Sequence, residues 1–306
     1  MDVNNKTFYS NGKLLITAEY LVLDGAKALA LPTKFGQNLN VKIGSKKQIV
    51  WTSFDADETI WFEDTILFSE IKNYSVSENQ SERSVLIKIL HESYVKNPLI
   101  IDNFDGYQIT TNLTFPKFWG LGTSSTLINN IAQWFEIDAF ELLKNSFGGS
   151  GYDIACAKNN SPILYQLENG FPKVQTTNFE PKCIEHLYFV YLNQKQNSKS
   201  AIASYFKKSK NKIAVIEKIN AITNAILLEN DFENLSQQLQ AHENNMSEFL
   251  EIQTVKNKLF SDFDGVIKSL GAWGGDFVLV LSKENPKKYF KNKGFETILS
   301  YKEIIL

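Results

Sequence analysis

Arginine is nearly absent from this 306-residue chain: of 32 basic residues only one, Arg83, is an arginine. Any anion it binds must therefore meet lysine point charges, backbone N–H groups or a metal rather than bidentate guanidinium forks. Neither sign of charge is in excess. The 32 basic residues face 34 acidic ones, a net charge of −2, which argues against nucleic acid as a partner. Two cysteines, Cys156 and Cys183, cannot build a disulfide framework, and with three scattered histidines, His91, His186 and His242, they show no zinc spacing. They are expected as buried free thiols. No run approaches the roughly 18 apolar residues of a membrane span. The opening Met1-Asp2-Val3-Asn4-Asn5-Lys6 lacks the apolar stretch of a signal peptide. The expectation is a cytoplasmic protein with no membrane partner.

What is present suits a folded globular chain. The hydrophobic share is 43% and the charged share 22%, unlike disordered, collagen-like or coiled-coil sequences. At roughly 150 residues per domain the length suggests about two domains, and a boundary is expected near Gly170 to Pro181, dividing the chain into 1–175 and 176–306. No repeat of fixed period and no low-complexity tract interrupts them.

The first third reads as strands at Lys13 to Leu23, Ala28 to Leu31, Asn38 to Ile43, Gln48 to Ser53 and Thr59 to Phe62, with Asp24-Gly25 as a hairpin turn. A helix is predicted over Glu82 to Lys96 with Ser81 as N-cap. Tyr107, Ile109, Thr111, Leu113 and Phe115 alternate with polar residues as a half-buried strand that Pro116 ends. A glycine loop then hands over to a helix from Thr123 to Phe135 whose buried face carries Leu127, Ile131, Trp134 and Phe135. Beyond a second glycine loop come a short helix near Asp153 to Ala157 and a strand at Ile163 to Gln166. The rest alternates: strand Leu187 to Leu192, helices Ser198 to Phe206, Lys210 to Glu229, Phe232 to Leu250 and Thr254 to Ser269, and strands Phe277 to Leu281 and Phe295 to Ser300. The class is α+β.

Three glycine loops stand out. Gly120-Leu121-Gly122-Thr123-Ser124-Ser125 joins a strand to a helix, so its first-turn N–H groups can face a phosphate; an ordinary tight turn with hydroxyl caps is the alternative. It is neither a Walker A loop nor a dinucleotide fingerprint. Gly148-Gly149-Ser150-Gly151 precedes Asp153, a carboxylate that can accept a proton from an alcohol or simply complement a helix dipole. Gly271-Ala272-Trp273-Gly274-Gly275-Asp276 is either a tight connection or a ligand loop.

In their order and spacing these segments resemble the motifs of the GHMP kinases, the ATP-dependent family of galactokinase, homoserine kinase, mevalonate kinase and phosphomevalonate kinase. Motif one is Gly12-Lys13-Leu14-Leu15-Ile16-Thr17-Ala18-Glu19-Tyr20-Leu21-Val22-Leu23-Asp24-Gly25, motif two Pro116-Lys117-Phe118-Trp119-Gly120-Leu121-Gly122-Thr123-Ser124-Ser125, and motif three Gly271 to Asp276. Ala18-Glu19-Tyr20 and the terminal Asp276 are nearest to the mevalonate and phosphomevalonate kinases. The resemblance implies an N-terminal domain similar to ribosomal protein S5 domain 2 and a ferredoxin-like C-terminal domain. It implies ATP and Mg²⁺ as cofactors and a small-molecule acceptor as substrate.

Carried over residue by residue, it implies that Pro116, Gly120, Leu121, Gly122, Thr123, Ser124 and Ser125, with Gly274 and Gly275, bind the nucleotide. Asp153 would take the acceptor proton, and Lys13 would polarise the hydroxyl or neutralise the transferring group. Ser124 and Glu141 would ligate the metal, and Glu19, Ser150, Gly151, Ser198, Gly271 and Ala272 would line the acceptor. The chain departs from the family in the bulky Trp119 and Trp273, in Thr17-Ala18 ahead of Glu19, and in offering only Glu141 within Phe140 to Phe147 as a second metal ligand. A mevalonate or phosphomevalonate kinase, a kinase for another small metabolite, and a catalytically silent nucleotide- or protein-binding relative are the readings, as a monomer or homodimer.

Overall fold

The computed structural model describes residues 5–75, 81–194, 202–203, 205–207, 212–228 and 231–306. It is a mixed fold of sheets and helices whose contacts form two compact units that interleave in sequence. Unit 1 is Met1–Gly12, Phe35–Lys117 and Leu121–Lys158; unit 2 is Lys13–Lys34, Phe118–Gly120 and Asn159–Leu306.

In unit 1 the later half of β2 (Ala28–Ile43) pairs antiparallel with β5 (Gly106–Leu113), β5 runs parallel to β3 (Gln48–Phe54), and β3 pairs antiparallel with β4 (Ile60–Leu67). Alternation along β5 buries Tyr107, Ile109, Thr111 and Leu113. Helices α1 (Phe68–Lys72), α2 (Glu82–Lys96), α3 (Leu99–Asp102), α4 (Thr123–Phe135), α5 (Ala139–Ser146) and α6 (Tyr152–Lys158) belong to the same unit. The Ser81 hydroxyl accepts the Ser84 N–H at 3.2 Å and Asp138 accepts the Glu141 N–H at 2.8 Å, so α2 and α5 both begin on a side-chain cap. Trp51, Ile109, Ile128, Ile131 and Trp134 meet in one core.

In unit 2 an antiparallel sheet has the order β11 (Ile298–Ser300), β8 (Leu187–Tyr191), β10 (Phe277–Leu281), β9 (Val266–Ser269). Every residue of the inner strand β10 is buried, which fits its unbroken apolar run. The start of β2 pairs with β6 (Ile163–Glu168), and β6 with the exposed edge strand β7 (Phe171–Thr176). The long helices are α7 (Lys212–Leu228) and α8 (Phe232–Leu250), and α8 packs on β9. Short helices α9 (Val255–Leu259), α10 (Lys287–Asn292) and α11 (Tyr301–Ile304) complete the unit. Among the described residues no helix is long and apolar enough to cross a membrane. Cys156 and Cys183 are buried and form no disulfide.

Three expectations fail locally. The strand read at Lys13 to Leu23 is β1 (Asn5–Leu15) followed by a turn and a 3-10 segment at Leu21–Asp24. The apolar residues past Leu15 are buried by that turn, and Gly25, at φ 86, closes the segment instead of making a hairpin. The strands read at Ala28 to Leu31 and Asn38 to Ile43 are one strand, because Pro32 and Gly36 lie within β2 without breaking it. The helix read over Thr254 to Ser269 stops at Leu259; Asp262-Phe263-Asp264-Gly265 turns the chain into β9. The expected helix from Ser198 lies largely outside the described residues.

Candidate active-site segments

The strand-to-helix loop is built in unit 1 from β5 onward. The Lys117 N–H donates to Asp55 Oδ1 at 2.9 Å and fixes where the loop departs. At its far end Gly122 takes a left-handed conformation, φ 103, as N-cap of α4, and no side chain caps that helix. The hydroxyl of Ser125 donates back to the Gly122 carbonyl at 2.9 Å. The first turn of α4 has no acidic residue, so nothing within the helix offsets the positive end of its dipole at Thr123 and the exposed Ser124.

A polar seam holds that end of α4 in place. Thr126 donates to Gln37 Oε1 at 2.7 Å, the Asn130 amide to the Gln37 carbonyl at 2.9 Å, the Asn129 amide to Ser10 Oγ at 2.8 Å, and Ser10 to Asn130 Oδ1 at 2.7 Å. The helix was expected to bury an apolar stripe. It also buries Asn129 and Asn130 completely. Asn129 Oδ1 is left without a partner among the described residues, while the bonds that are made tie the helix start to Ser10 and Gln37.

Asp153, half-buried, is the second residue of α6, and its Oδ1 accepts the Ile154 N–H at 3.1 Å. Since α6 packs against α4, the helix carrying Asp153 lies beside the one that Thr123 and Ser124 open. Gly148, Gly149 and Gly151 all have positive φ before it. Ser150 is half-buried and Gly151 buried. Glu141, in the first turn of α5, is exposed and ion-paired with Lys96 of α2. Among the described residues no group of three or more His, Cys, Asp or Glu side chains is arranged to hold a metal.

Unit 2 gathers the other expected residues. Lys13, half-buried on β1, donates through Nζ to the Gly120 carbonyl at 2.9 Å. Gly120 has φ 70, and a methyl group there would run into the Asp276 carboxylate. Lys13, Gly120, Gly271 and Asp276 line a narrow cleft beside Trp119 and Phe277. The indole of Trp119 meets the Phe277 ring edge-on at 5.5 Å, and Tyr191 joins them, its hydroxyl donating to the Phe118 carbonyl at 3.1 Å. Burial, and then the Asp276 charge, push the Tyr191 phenol above its ordinary pKa. Trp273 is buried, and its indole N–H has no partner among the described residues.

In the sequence Asp276 is only the last residue of motif three. Its signal was available: an acidic residue ending a glycine loop. Pro116 is exposed, Leu121 and Gly275 are buried, and Gly271, Ala272 and Gly274 are half-buried. Ser198 lies outside the described residues. A broader depression of about 560 Å³, bordered by Asn160, Thr176, Asn178 and Glu180, holds none of the expected residues.

Glu19 sits in a fully buried ionic cluster. It pairs with Lys268, and its other oxygen, Oε2, is 3.5 Å from His242 Nε2. That same nitrogen accepts the Ala18 N–H at 3.0 Å. Lys268 also donates to the Ser269 carbonyl at 2.9 Å, while both oxygens of Glu243 accept from Ser269, the N–H at 3.0 Å and the hydroxyl at 2.8 Å. Glu19, His242, Glu243 and Lys268 are all 0% exposed. Burial pushes Glu19 up to about 7 against the pull of Lys268. Burial, then Lys268, hold His242 well below its ordinary value, so its imidazole is neutral and Nε2 is an acceptor. Nothing in the sequence pointed to His242, Glu243 or Lys268.

No protein-family model matches the sequence, and no curated protein does either. Solved structures do match over nearly the whole chain. Mevalonate kinase of Methanococcus jannaschii superposes with a TM-score of 0.71 at 15% identity, over 98% of this chain and 98% of that one. Phosphomevalonate kinase of Streptococcus pneumoniae, in complex with phosphomevalonate and AMPPNP, gives 0.67 at 15% identity over 94% and 95%. Galactokinase of Lactococcus lactis, complexed with galactose, gives 0.68 at 9% identity over 94% and 88%. The chain therefore has the fold of the GHMP kinases, which mevalonate kinase, phosphomevalonate kinase and galactokinase share.

Proposed function

We propose that the protein is an ATP-dependent kinase that transfers a γ-phosphoryl group to the hydroxyl or phosphate of a small acceptor, with mevalonate and phosphomevalonate as first candidates. The observation that carries this reading is the α4 N-terminus: opened by Gly122 in a left-handed conformation, free of a side-chain cap and of acidic residues, it suits a polyphosphate. Residues 1–175 would form the nucleotide-binding domain, similar to ribosomal protein S5 domain 2, and 176–306 a ferredoxin-like domain.

Phosphoryl transfer requires little covalent help and depends on positioning and charge neutralisation. The N–H groups of the first α4 turn would hold the phosphates. Lys13, anchored on the carbonyl of Gly120, would place a positive charge beside the same loop. Asp153 would accept the acceptor proton. Mg²⁺ fits these residues only as an ion held by one or two protein groups, Ser124 and at most Glu141, together with phosphate oxygens, which is how Mg²⁺ is commonly bound. When bound it would neutralise phosphate charge. Arg83 is engaged by Asp64 at 2.6 Å and Glu70 at 2.7 Å. A carboxylate or phosphate on the acceptor would thus be met by lysine or backbone N–H groups.

The test is acceptor-dependent ADP release with Mg-ATP on mevalonate, phosphomevalonate, homoserine, galactose and shikimate, with Asp153→Asn as blank. Turnover on either mevalonate compound that drops at least about a hundredfold in the blank supports the reading in full. Failure to bind Mg-AMPPNP, together with silence across the panel, refutes it.

A further inference from the structure

Motif one and motif three share a backbone peculiarity. Ala18 and Tyr20, on either side of Glu19, have φ 65 and 61, and Trp273 and Asp276 in the third glycine loop have φ 42 and 52. Left-handed backbone at residues bearing side chains persists only where the surroundings over-determine it.

The surroundings here converge on one turn of α8. His242 accepts the Ala18 N–H at 3.0 Å, which requires a neutral ring with its proton on Nδ1. Glu243, the next residue, clamps Ser269, two positions before Gly271, through both carboxylate oxygens. Consecutive helical residues project about 100° apart. One can therefore grip the turn that follows the Lys13 strand while the other grips the strand that enters the third glycine loop. The Glu19–Lys268 ion pair then ties those two segments directly to each other. Filling a core needs none of this, since apolar residues of similar volume do it without burying four ionisable groups.

We propose that His242 and Glu243 are positioning residues: they fix the backbone of motif one behind Lys13 and of motif three ahead of Gly271, and through it the phosphate-handling geometry. This rests on the kinase reading for its catalytic half, whereas the clamp itself does not depend on turnover.

Amide hydrogen exchange of the peptides covering 13–24 and 266–277 tests the clamp in His242→Leu, His242→Gln, Glu243→Leu and Glu243→Gln, alongside Mg-AMPPNP affinity and steady-state kinetics. The glutamines retain an acceptor oxygen; the leucines do not. His242→Leu should speed exchange at 13–24 on the order of tenfold, and Glu243→Leu at 266–277, while the glutamine variants stay within about threefold of the parent. In the same leucine variants kcat should fall on the order of tenfold or more with the KM for ATP changed less than about threefold, and glutamine should restore it.

Unchanged exchange at both peptides, or glutamine variants as impaired as leucine ones, overturns the clamp. Loosened peptides with parental kcat overturn its catalytic role. If a leucine variant does not fold, His242→Asn or Glu243→Asp, each of which shortens the acceptor, takes its place. A parent that neither binds Mg-AMPPNP nor releases ADP removes the kinase reading and the catalytic half with it, while the exchange result still decides the clamp.

Discussion

Replacing Glu19 by glutamine isolates the energetic consequence of burying that carboxylate. Its ordinary value of 4.5 rises to about 7 in the folded protein because desolvation outweighs Lys268. Below pH 4.5 Glu19 is protonated in both states. Between 4.5 and 7 the unfolded chain has released the proton that the folded protein retains, so stability falls as pH rises through this window. The 2.5 pH units between 4.5 and about 7, at about 1.4 kcal/mol each, set an upper bound of about 3.5 kcal/mol.

The neighbours facing Glu19 are Lys268 from β9 and His242 and Glu243 from α8. Glu243 is also raised, by burial, and acts with the same sign. His242 is lowered from 6.5, so its contribution is lost as pH falls through that value, opposite in sign. The parent's own pH profile therefore mixes opposed effects, and the difference between variant and parent is the cleaner quantity. Urea unfolding of parent and Glu19→Gln at pH 5 and pH 8 should show the variant gaining on the parent by up to about 2.5 kcal/mol at the higher pH, the rest of the bound lying below pH 5. A flat difference refutes the argument. A variant that loses ground as pH rises shows that Lys268 outweighs desolvation.

Lys13→Met keeps the stem and removes the donor to Gly120; if Lys13 neutralises the transferring group, kcat should drop on the order of a hundredfold, while thermal unfolding reports a stability change within about 1.5 kcal/mol. Gly120→Ala places a side chain at φ 70 against the Asp276 carboxylate, costing about 2–4 kcal/mol in urea unfolding. The double variant Gly120→Ala/Asp276→Gly should recover about half, and no recovery would show that the collision is not the cause. Arg83→Ala, removing a partly exposed guanidinium bound to Asp64 and Glu70, should cost about 1 kcal/mol or less and leave the KM values for ATP and acceptor unchanged. An altered acceptor KM would place the only guanidinium in the site after all.

Where local signals agree, the sequence was readable. Helices α2, α4 and α8 run over the ranges read from the sequence, α2 beginning at its hydroxyl cap Ser81. Where apolar residues serve a turn, composition misled: Leu21 and Val22 are buried in a 3-10 segment, not a strand. Thr254 to Ser269 offered helical spacing on both sides of an Asp- and Gly-containing turn, and tertiary context made its second half β9.

In the candidate site the loops and Asp153 were visible because glycine spacing and a neighbouring carboxylate are local. The ionic cluster was not, since Glu19 and Lys268 are 249 residues apart: Glu19 reads as a motif residue lining the acceptor, and Lys268 alone as a solvated charge. The seam of Ser10, Gln37, Asn129 and Asn130 was hidden for the same reason: amides on a helix face announce solvent until their partners are known.

The interleaving of the two units bears on how a ribosome can deliver this protein. The chain passes from one unit to the other at 12/13, 34/35, 117/118, 120/121 and 158/159. Lys13–Lys34 emerge early but belong with Asn159–Leu306, so the buried Glu19 has no ammonium partner until Lys268 has been synthesised. At roughly 5–20 residues per second that wait lasts about ten seconds or longer. The start of β2 lacks β6 until residues 163–165 are made, and the Ala18 N–H lacks its acceptor until His242 is. Nascent chains halted between Asn159 and Lys268 are thus the stage at which this protein is most exposed to aggregation and to chaperone capture, and no single truncation releases unit 2 as a continuous fragment.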